Sequence, residues 1–165
     1  MRIILKSASD HYSEQEGFVV PPCPADHESR QAAFLEALEE RVLVLDGATG
    51  TALQGVELTA EDFGGADLEG CNEMLCRTRP DVVAGVHHAY LGADCDIVET
   101  NSFGSTPLVL AEYDVPHLAF ELSRLSAAIA RETCALYDQP GRRRFVCASM
   151  GPTTKAISVT GGTTF

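Results

Sequence analysis

Three short apolar runs set the terms for this chain, because each passes without a pause into a cluster of small and polar residues. They are "RVLVLDGATGT" at 41–51, "DIVETNSFGST" at 96–106 and "RFVCASMGPTT" at 144–154. Runs of Val, Leu, Ile and Phe this short suit strands buried on both faces, the habit of a parallel sheet. The pattern predicts strands over Val42 to Leu45 and Ile97 to Thr100, with a third inside "RRFVCASMGPT".

The intervening segments carry a helical period. Ser29 is placed to cap "RQAAFLEALEER", where Phe34, Leu35 and Leu38 share a face. A Gly-rich loop precedes a helix begun by Pro80, with Val82, Val83, Val86 and Tyr90 inward and Gly92 past its end. The segment "LVLAEYDVPHLAFELSRLSAAIARETCALYD" is helical with a restart at Pro116. Helix, strand, helix, strand, helix, strand is the order of parallel strands joined by right-handed helical crossovers. The fold class is α/β. Residues 1–28, with the Pro-rich "VVPPCPADHE", show no sustained period and are expected to form a loose leader to a domain over 29–165.

Size and charge remove several functions. A chain of 165 residues with 45% hydrophobic content builds one domain with a real core. Its formal net charge of −12 leaves no basic surface for nucleic acid, and the run Arg142-Arg143-Arg144 is expected to be a solvated turn before a strand. The acidic run "EALEERV" is expected to be a solvated helix face. No apolar run is long enough for a signal core or a membrane span, so the expectation is a cytoplasmic protein without membrane contact. Its six cysteines are scattered through apolar segments, which suits reduced thiols and not a disulfide framework.

In parallel α/β folds the ligand sits at the carboxyl ends of the strands. Here those ends read "DGATGT", "ETNSFGST" and "SMGPTT", three portions of one rim. In the first, Gly47, Ala48 and Gly50 allow backbone N–H groups to approach a carboxylate or phosphate, while Asp46 attracts a cationic amine. An α-amino acid carries both groups. The same Asp-Gly pattern also serves a plain tight turn, and Glu99 suits a pairing with a neighbouring side chain as well as a ligand contact. His87-His88 suits a core or surface helix, and Cys71 and Cys76 suit buried packing.

Three segments in order, "RVLVLDGATGTALQ", "EDFGGADLEGCNEMLCRTRPDVVAGVHHAYLGADCDIVETNSFGST" and "FVCASMGPTTKAISV", resemble the N-terminal homocysteine-binding domain of the cobalamin-dependent methionine synthases. The likeness covers roughly Arg30 to Phe165, and "LEGCNEML" leans toward these enzymes and away from the betaine-dependent and S-methylmethionine-dependent homocysteine methyltransferases.

The resemblance implies a (β/α)8 barrel in which zinc, held by three cysteine thiolates, binds the homocysteine sulfur and lowers its pKa for attack on a methyl group carried by cobalamin. It also implies folate and cobalamin domains in the parent protein. Such a barrel takes about 250 residues. The family's zinc cysteines fall in later strands, so the expectation is an N-terminal part of about three βα units that binds no cofactor and is inactive alone. The resemblance implies that Asp46, Gly47, Ala48 and Thr49 line the amino-acid end of the homocysteine pocket, with Glu99, Thr100 and Asn101 beside it and Gly151 at the third strand end. The alternatives are a non-catalytic α/β binding module that shares the rim without the metal, and a betaine- or S-methylmethionine-dependent homocysteine methyltransferase.

Overall fold

In the computed structural model, residues 27–153 are described, and the leader expected over residues 1–28 lies almost wholly outside them. The elements are α1 (His27–Glu40), α2 (Thr49–Gln54), α3 (Ala60–Phe63), α4 (Leu75–Thr78), α5 (Pro80–Gly92), β1 (Ile97–Glu99), α6 (Pro107–Leu110), α7 (Ala119–Ala135) and β2 (Phe145–Cys147). Short 3-10 turns link several of them, among them Pro116–Leu118 directly before α7, where proline restarts the helix as its sequence position requires. The described part of α1 already begins at His27, so Ser29 stands within the helix and does not cap it. Among the described residues no helix is long and apolar enough to cross a membrane.

β1 and β2 pair in parallel, Ile97 with Phe145, Val98 with Val146 and Glu99 with Cys147. The first apolar run departs from expectation. It follows β1 as an extended segment with one parallel bridge, Leu45 to Ile97, and forms no full strand. Asp96 N and Ile97 N both donate to Val44 O at 2.8 and 3.1 Å, and Asp46 N donates to Ile97 O at 2.9 Å. Val44 N is taken by the Asp96 carboxylate, not by a backbone carbonyl, which interrupts the ladder. Nor is the run buried on both faces, since Val42, Val44 and Leu45 are 86%, 54% and 46% exposed. Its only strand neighbour among the described residues is β1. The three-unit count is therefore replaced by two parallel strands and one bridged segment.

The core lies on one side of this sheet. Val98 points into a cluster with Leu91 and Cys95 from the α5 end and Ala130 and Cys134 of α7. A second cluster joins Leu53, Phe63, Leu75, Cys76, Val82, Val83 and Val86, and a third joins Cys71, Met74, Leu110, Leu118, Ala119 and Leu122. On α5 Val82, Val83 and Val86 are buried as expected and Tyr90 is half-buried, His87 and Leu91 join the inward face, and Gly92 is the last residue of the helix and not past its end. Alternation along a strand sends Ile97 and Glu99 to the opposite face. Phe145 shares that face with Ile97, and Phe34 of α1 meets it edge-on with ring centroids 5.1 Å apart. Leu35 and Leu38, on the same helix, stay about half exposed.

At the amino ends of the strands sits a buried ion cluster. Asp96, fully buried, accepts two bonds of 2.8 Å from Arg41, one of 3.0 Å from Val44 N and one of 2.9 Å from Arg142 Nη2. Arg144 Nη1 approaches the same carboxylate at 3.4 Å and donates to Cys95 O at 2.8 Å. Asp94, in the left-handed region at φ 75°, receives Arg142 at 2.7 Å and Arg144 at 2.6 Å. The basic run expected to be a solvated turn thus supplies one buried and one half-buried arginine. The reason is the pair of carboxylates opposite, since a guanidinium enters the interior only with its charge paired and its N–H groups bonded.

Arg41 and Arg142 hold the Asp96 carboxyl well below the usual carboxylate range. A depressed folded-state pKa gives stability that is present above the unfolded value, about 3.9, and is lost as pH falls. Asp96→Ala leaves the Arg144 guanidinium without part of its counter-charge and is expected to destabilise the fold by about 3–5 kcal/mol near neutral pH. In urea denaturation the gap between wild type and variant should close as pH falls below about 4. A gap that does not change with pH would show that the carboxylate's charge is irrelevant.

Candidate functional site

At the carboxyl ends of the same strands, opposite the ion cluster, the structure gathers the residues read from the sequence. Asp46 closes the first run and is buried. Its Oδ1 accepts Glu99 N at 2.9 Å, so the carboxylate does the work of a backbone carbonyl in continuing the sheet past Leu45. Its Oδ2 is buried and has no partner among the described residues. Burial first, and the neighbouring Glu99 charge second among the raising influences, push the Asp46 carboxyl up to about 6. An oxygen left dry and unpaired costs free energy that a donor entering from the rim would recover.

The loop beyond Asp46 is open. A Cβ built on Gly47 or Gly50 would meet nothing within 4 Å. Ala48 has φ 43° and ψ 39°, a left-handed conformation that turns the chain into α2 at Thr49. Thr49 is half-buried and Ala48 is exposed.

The second and third strand ends are stitched together. Thr100 N donates to Cys147 O at 2.9 Å, Thr100 Oγ1 lies 2.6 Å from Ser102 Oγ, and Ser149 N donates to Thr100 Oγ1 at 3.0 Å. Ser102 Oγ donates to Ser149 O at 2.8 Å and Gly151 N to Phe103 O at 2.8 Å. A Cβ on Gly151 would stand 2.6 Å from Phe103 Cε1, so glycine is needed there for close approach of two loops. Asn101 is buried and donates from Nδ2 to Asn72 O at 2.8 Å. Glu99 is half-buried, and its Oε2 accepts Ser149 Oγ at 3.4 Å. Of the residues expected on the rim, Asp46 and Glu99 therefore carry carboxylate oxygens toward it. The side chains of Thr100 and Asn101 are spent on holding loops.

Sequence reading missed Glu73. It is buried in the turn before α4, and its Oε1 accepts Gly104 N at 2.7 Å. Little in the sequence marked it, because Arg77 stands four residues on, where a solvated pair with Glu73 would be expected, and in the structure Arg77 instead faces Glu121 at 3.8 Å. Cys71 and Cys76 are buried as expected. His87 is fully buried with neither ring nitrogen bonded among the described residues, and burial pushes it down to about 4, while His88 lies exposed with Nδ1 3.1 Å from the Tyr137 hydroxyl.

The zinc implied by the sequence resemblance needs three or four preorganised ligands. Among the described residues no three His, Cys, Asp or Glu side chains converge on one point. Burial pushes Cys71 and Cys76 up to about 11 and Cys134 up to about 12, away from the thiolate that a metal requires. These residues do not fit such an ion.

Comparison with known proteins bears on the same region. The family model described as homocysteine S-methyltransferase matches residues 43–164. The chain is 46% identical over 131 residues to the methionine synthase of Mycobacterium tuberculosis, covering 79% of this chain and 11% of that one. It is 48% identical over 122 residues to the methionine synthase of Mycobacterium leprae, covering 74% and 10%. It therefore spans about a tenth of the length of these relatives. The fold is similar to the crystal structures of the homocysteine methyltransferase MmuM from Escherichia coli in its oxidized and metallated forms. Each gives a TM-score of 0.60 at 22% identity, over 73% of this chain and 41% of that one.

A carboxyl whose folded-state pKa is raised contributes stability that is present below its unfolded value, about 3.9, and is lost as pH rises through about 6. Asp46→Asn removes the charge and keeps an oxygen for Glu99 N. Its stability relative to wild type is expected to improve between about pH 4 and pH 7.5, read as the difference in urea midpoints. Carboxyl NMR of the wild type should show one aspartate titrating near 6 that is lost in the variant.

Proposed function

The chain belongs to the homocysteine S-methyltransferase family, and from that premise we propose that residues 29–165 form the first part of the homocysteine-binding barrel of a methionine synthase. On this reading the parent protein transfers a methyl group to the homocysteine thiol, giving methionine, and the present chain alone does not catalyse the transfer. Its task is to hold the amino-acid end of the substrate.

The observation that carries the proposal is Asp46 Oδ2, buried and unpartnered among the described residues at the end of the bridged segment, beside open backbone at Gly47 and Gly50. A substrate ammonium group supplies both the missing hydrogen bond and the charge that desolvation makes costly to leave alone. The backbone N–H groups of Gly47, Ala48 and Thr49 are the donors proposed for the substrate carboxylate. Glu99 adds a second negative charge to the ammonium end. Thr100, Asn101 and Gly151 contribute by fixing the two neighbouring loops at the distances described.

Zinc, when bound in the parent protein, lowers the pKa of a coordinated thiol and so makes it nucleophilic near neutral pH. The described residues contribute no ligand to it. Cobalamin as the methyl carrier and folate and cobalamin domains as covalent neighbours are part of the same proposal and rest on the sequence resemblance, and a cytoplasmic location is proposed with them.

The test uses the full-length parent polypeptide. Asp46→Asn is expected to weaken homocysteine binding by about 1.5–3 kcal/mol, roughly ten- to over a hundred-fold, with bound zinc unchanged. Homocysteine affinity, zinc content and melting temperature are read on one preparation. Unaltered affinity with a lowered melting temperature would reduce Asp46 to a turn residue and remove the substrate role.

A further inference from the structure

The strand-end loop after β1 is gripped from below by the turn at 71–76. Four contacts make the grip, one of them Asn101 Nδ2 donating to Cys76 Sγ at 3.5 Å, and all come from side chains with little exposure. Glu73 Oε1 accepts Gly104 N at 2.7 Å, Asn101 Nδ2 donates to Asn72 O at 2.8 Å, and Cys76 Sγ donates to Asn101 O at 3.6 Å. The second carboxylate oxygen of Glu73 accepts from Cys71 Sγ at 3.8 Å. Gly104 is packed against Glu73 so closely that a Cβ there would stand 2.8 Å from Oε1 and 3.2 Å from Val109 Cγ1.

Above the same loop, Ser102 and Phe103 O hold the loop after β2 through Ser149 O and Gly151 N. Residues 101–104 thus link a buried carboxylate on one side to the third rim segment on the other. Among the described residues no cation is a hydrogen-bond partner of the buried Glu73 carboxyl, and its shortest bond is to the backbone amide of Gly104. A neutral apolar side chain would pack at this depth at lower desolvation cost and would leave Gly104 N without an acceptor.

We infer that Glu73 is a positioning residue for homocysteine: through Gly104 N it sets the height of the loop that carries Asn101, Ser102 and Phe103, and with it the spacing of the second and third rim segments. The inference rests on the homocysteine reading above and adds to it a residue that touches no substrate. Glu73→Gln keeps an oxygen for Gly104 N and places an amide against Cys71 Sγ. Glu73→Ala removes the acceptor. Gly104→Ala leaves Glu73 in place and drives the loop off it.

In the full-length parent, homocysteine affinity is measured by calorimetry for these variants and for Asp46→Asn, together with zinc content, melting temperature and hydrogen exchange at the Gly104 amide. Glu73→Ala and Gly104→Ala are expected to weaken homocysteine binding at least about tenfold with zinc content unchanged, and Glu73→Gln to stay within about threefold of wild type. Exchange at Gly104 should quicken in Glu73→Ala and stay slow in Glu73→Gln. If Glu73→Ala does not fold, Gly104→Ala decides the matter, because it tests the same contact from the other side. Lowered melting temperatures with wild-type affinity in the folded fraction would overturn the inference. Loss of affinity in Asp46→Asn alone would leave the substrate reading intact and remove Glu73 from it. A wild-type protein that binds no homocysteine would sink both.

Discussion

The Asp96 carboxylate is the point on which this arrangement turns. It is fully buried, it stands at the start of β1, and three arginines from two other chain segments converge on it. Removing two or more charges from water is costly, and a buried ion pair is often no more stabilising than apolar packing of equal volume. What the cluster does supply is register. Arg41 can reach Asp96 only when the first apolar segment lies beside β1 with Val44 opposite it. Arg142 and Arg144 can reach it only when β2 begins at Phe145. A slip of one residue would turn Val98 out of the core and separate the charges together.

Polar chemistry at the other end of the sheet is divided between scaffold and rim. Thr100, Asn101, Ser102 and Ser149 satisfy one another and the backbone, which lets irregular loops lie close together. Among the described residues Ser105 Oγ in the same loop is buried without a partner, and Asp46 has one oxygen completing the sheet and the other left dry. A group that is half structural and half unsatisfied is where a protein spends stability, and such places concentrate where ligands bind.

Much of the helical part was legible. Pro80 and Pro116 marked their helix starts, and the spacing of Val82, Val83 and Val86 gave the buried face, because both signals are local. The first strand was overread. An apolar run shows that a segment can be buried, and it does not show that neighbours cover it, so Val42 and Val44 stand exposed. The fate of Arg142 and Arg144 was hidden for a related reason: their carboxylate partners lie 46 to 50 residues earlier, and a single sequence carries no mark of that pairing. In the candidate site, residue types placed Asp46 and Glu99 on the rim. Side-chain bonds alone could show that Asn101 and Thr100 are occupied and that Glu73 lies beneath them.

The edge-on contact of Phe34 with Phe145 joins residues near the two ends of the described chain. Arg41 meets Asp96 across 55 residues, and Asp96 meets Arg142 across 46. Each such closure must be made at an entropic expense before it is rewarded, whereas the helical turns close within themselves. On the ribosome, α5 and Asp96 emerge well before the arginines that finish neutralising that carboxylate, at about 5–20 residues per second. For several seconds Asp96 is outside without Arg142 and Arg144, and the pairing of β1 with β2 cannot form until the segment from Arg142 onward is free of the exit tunnel. Order of synthesis is thereby built into the geometry: α1 waits for Phe145, and of the two strands among the described residues the later one locks the earlier.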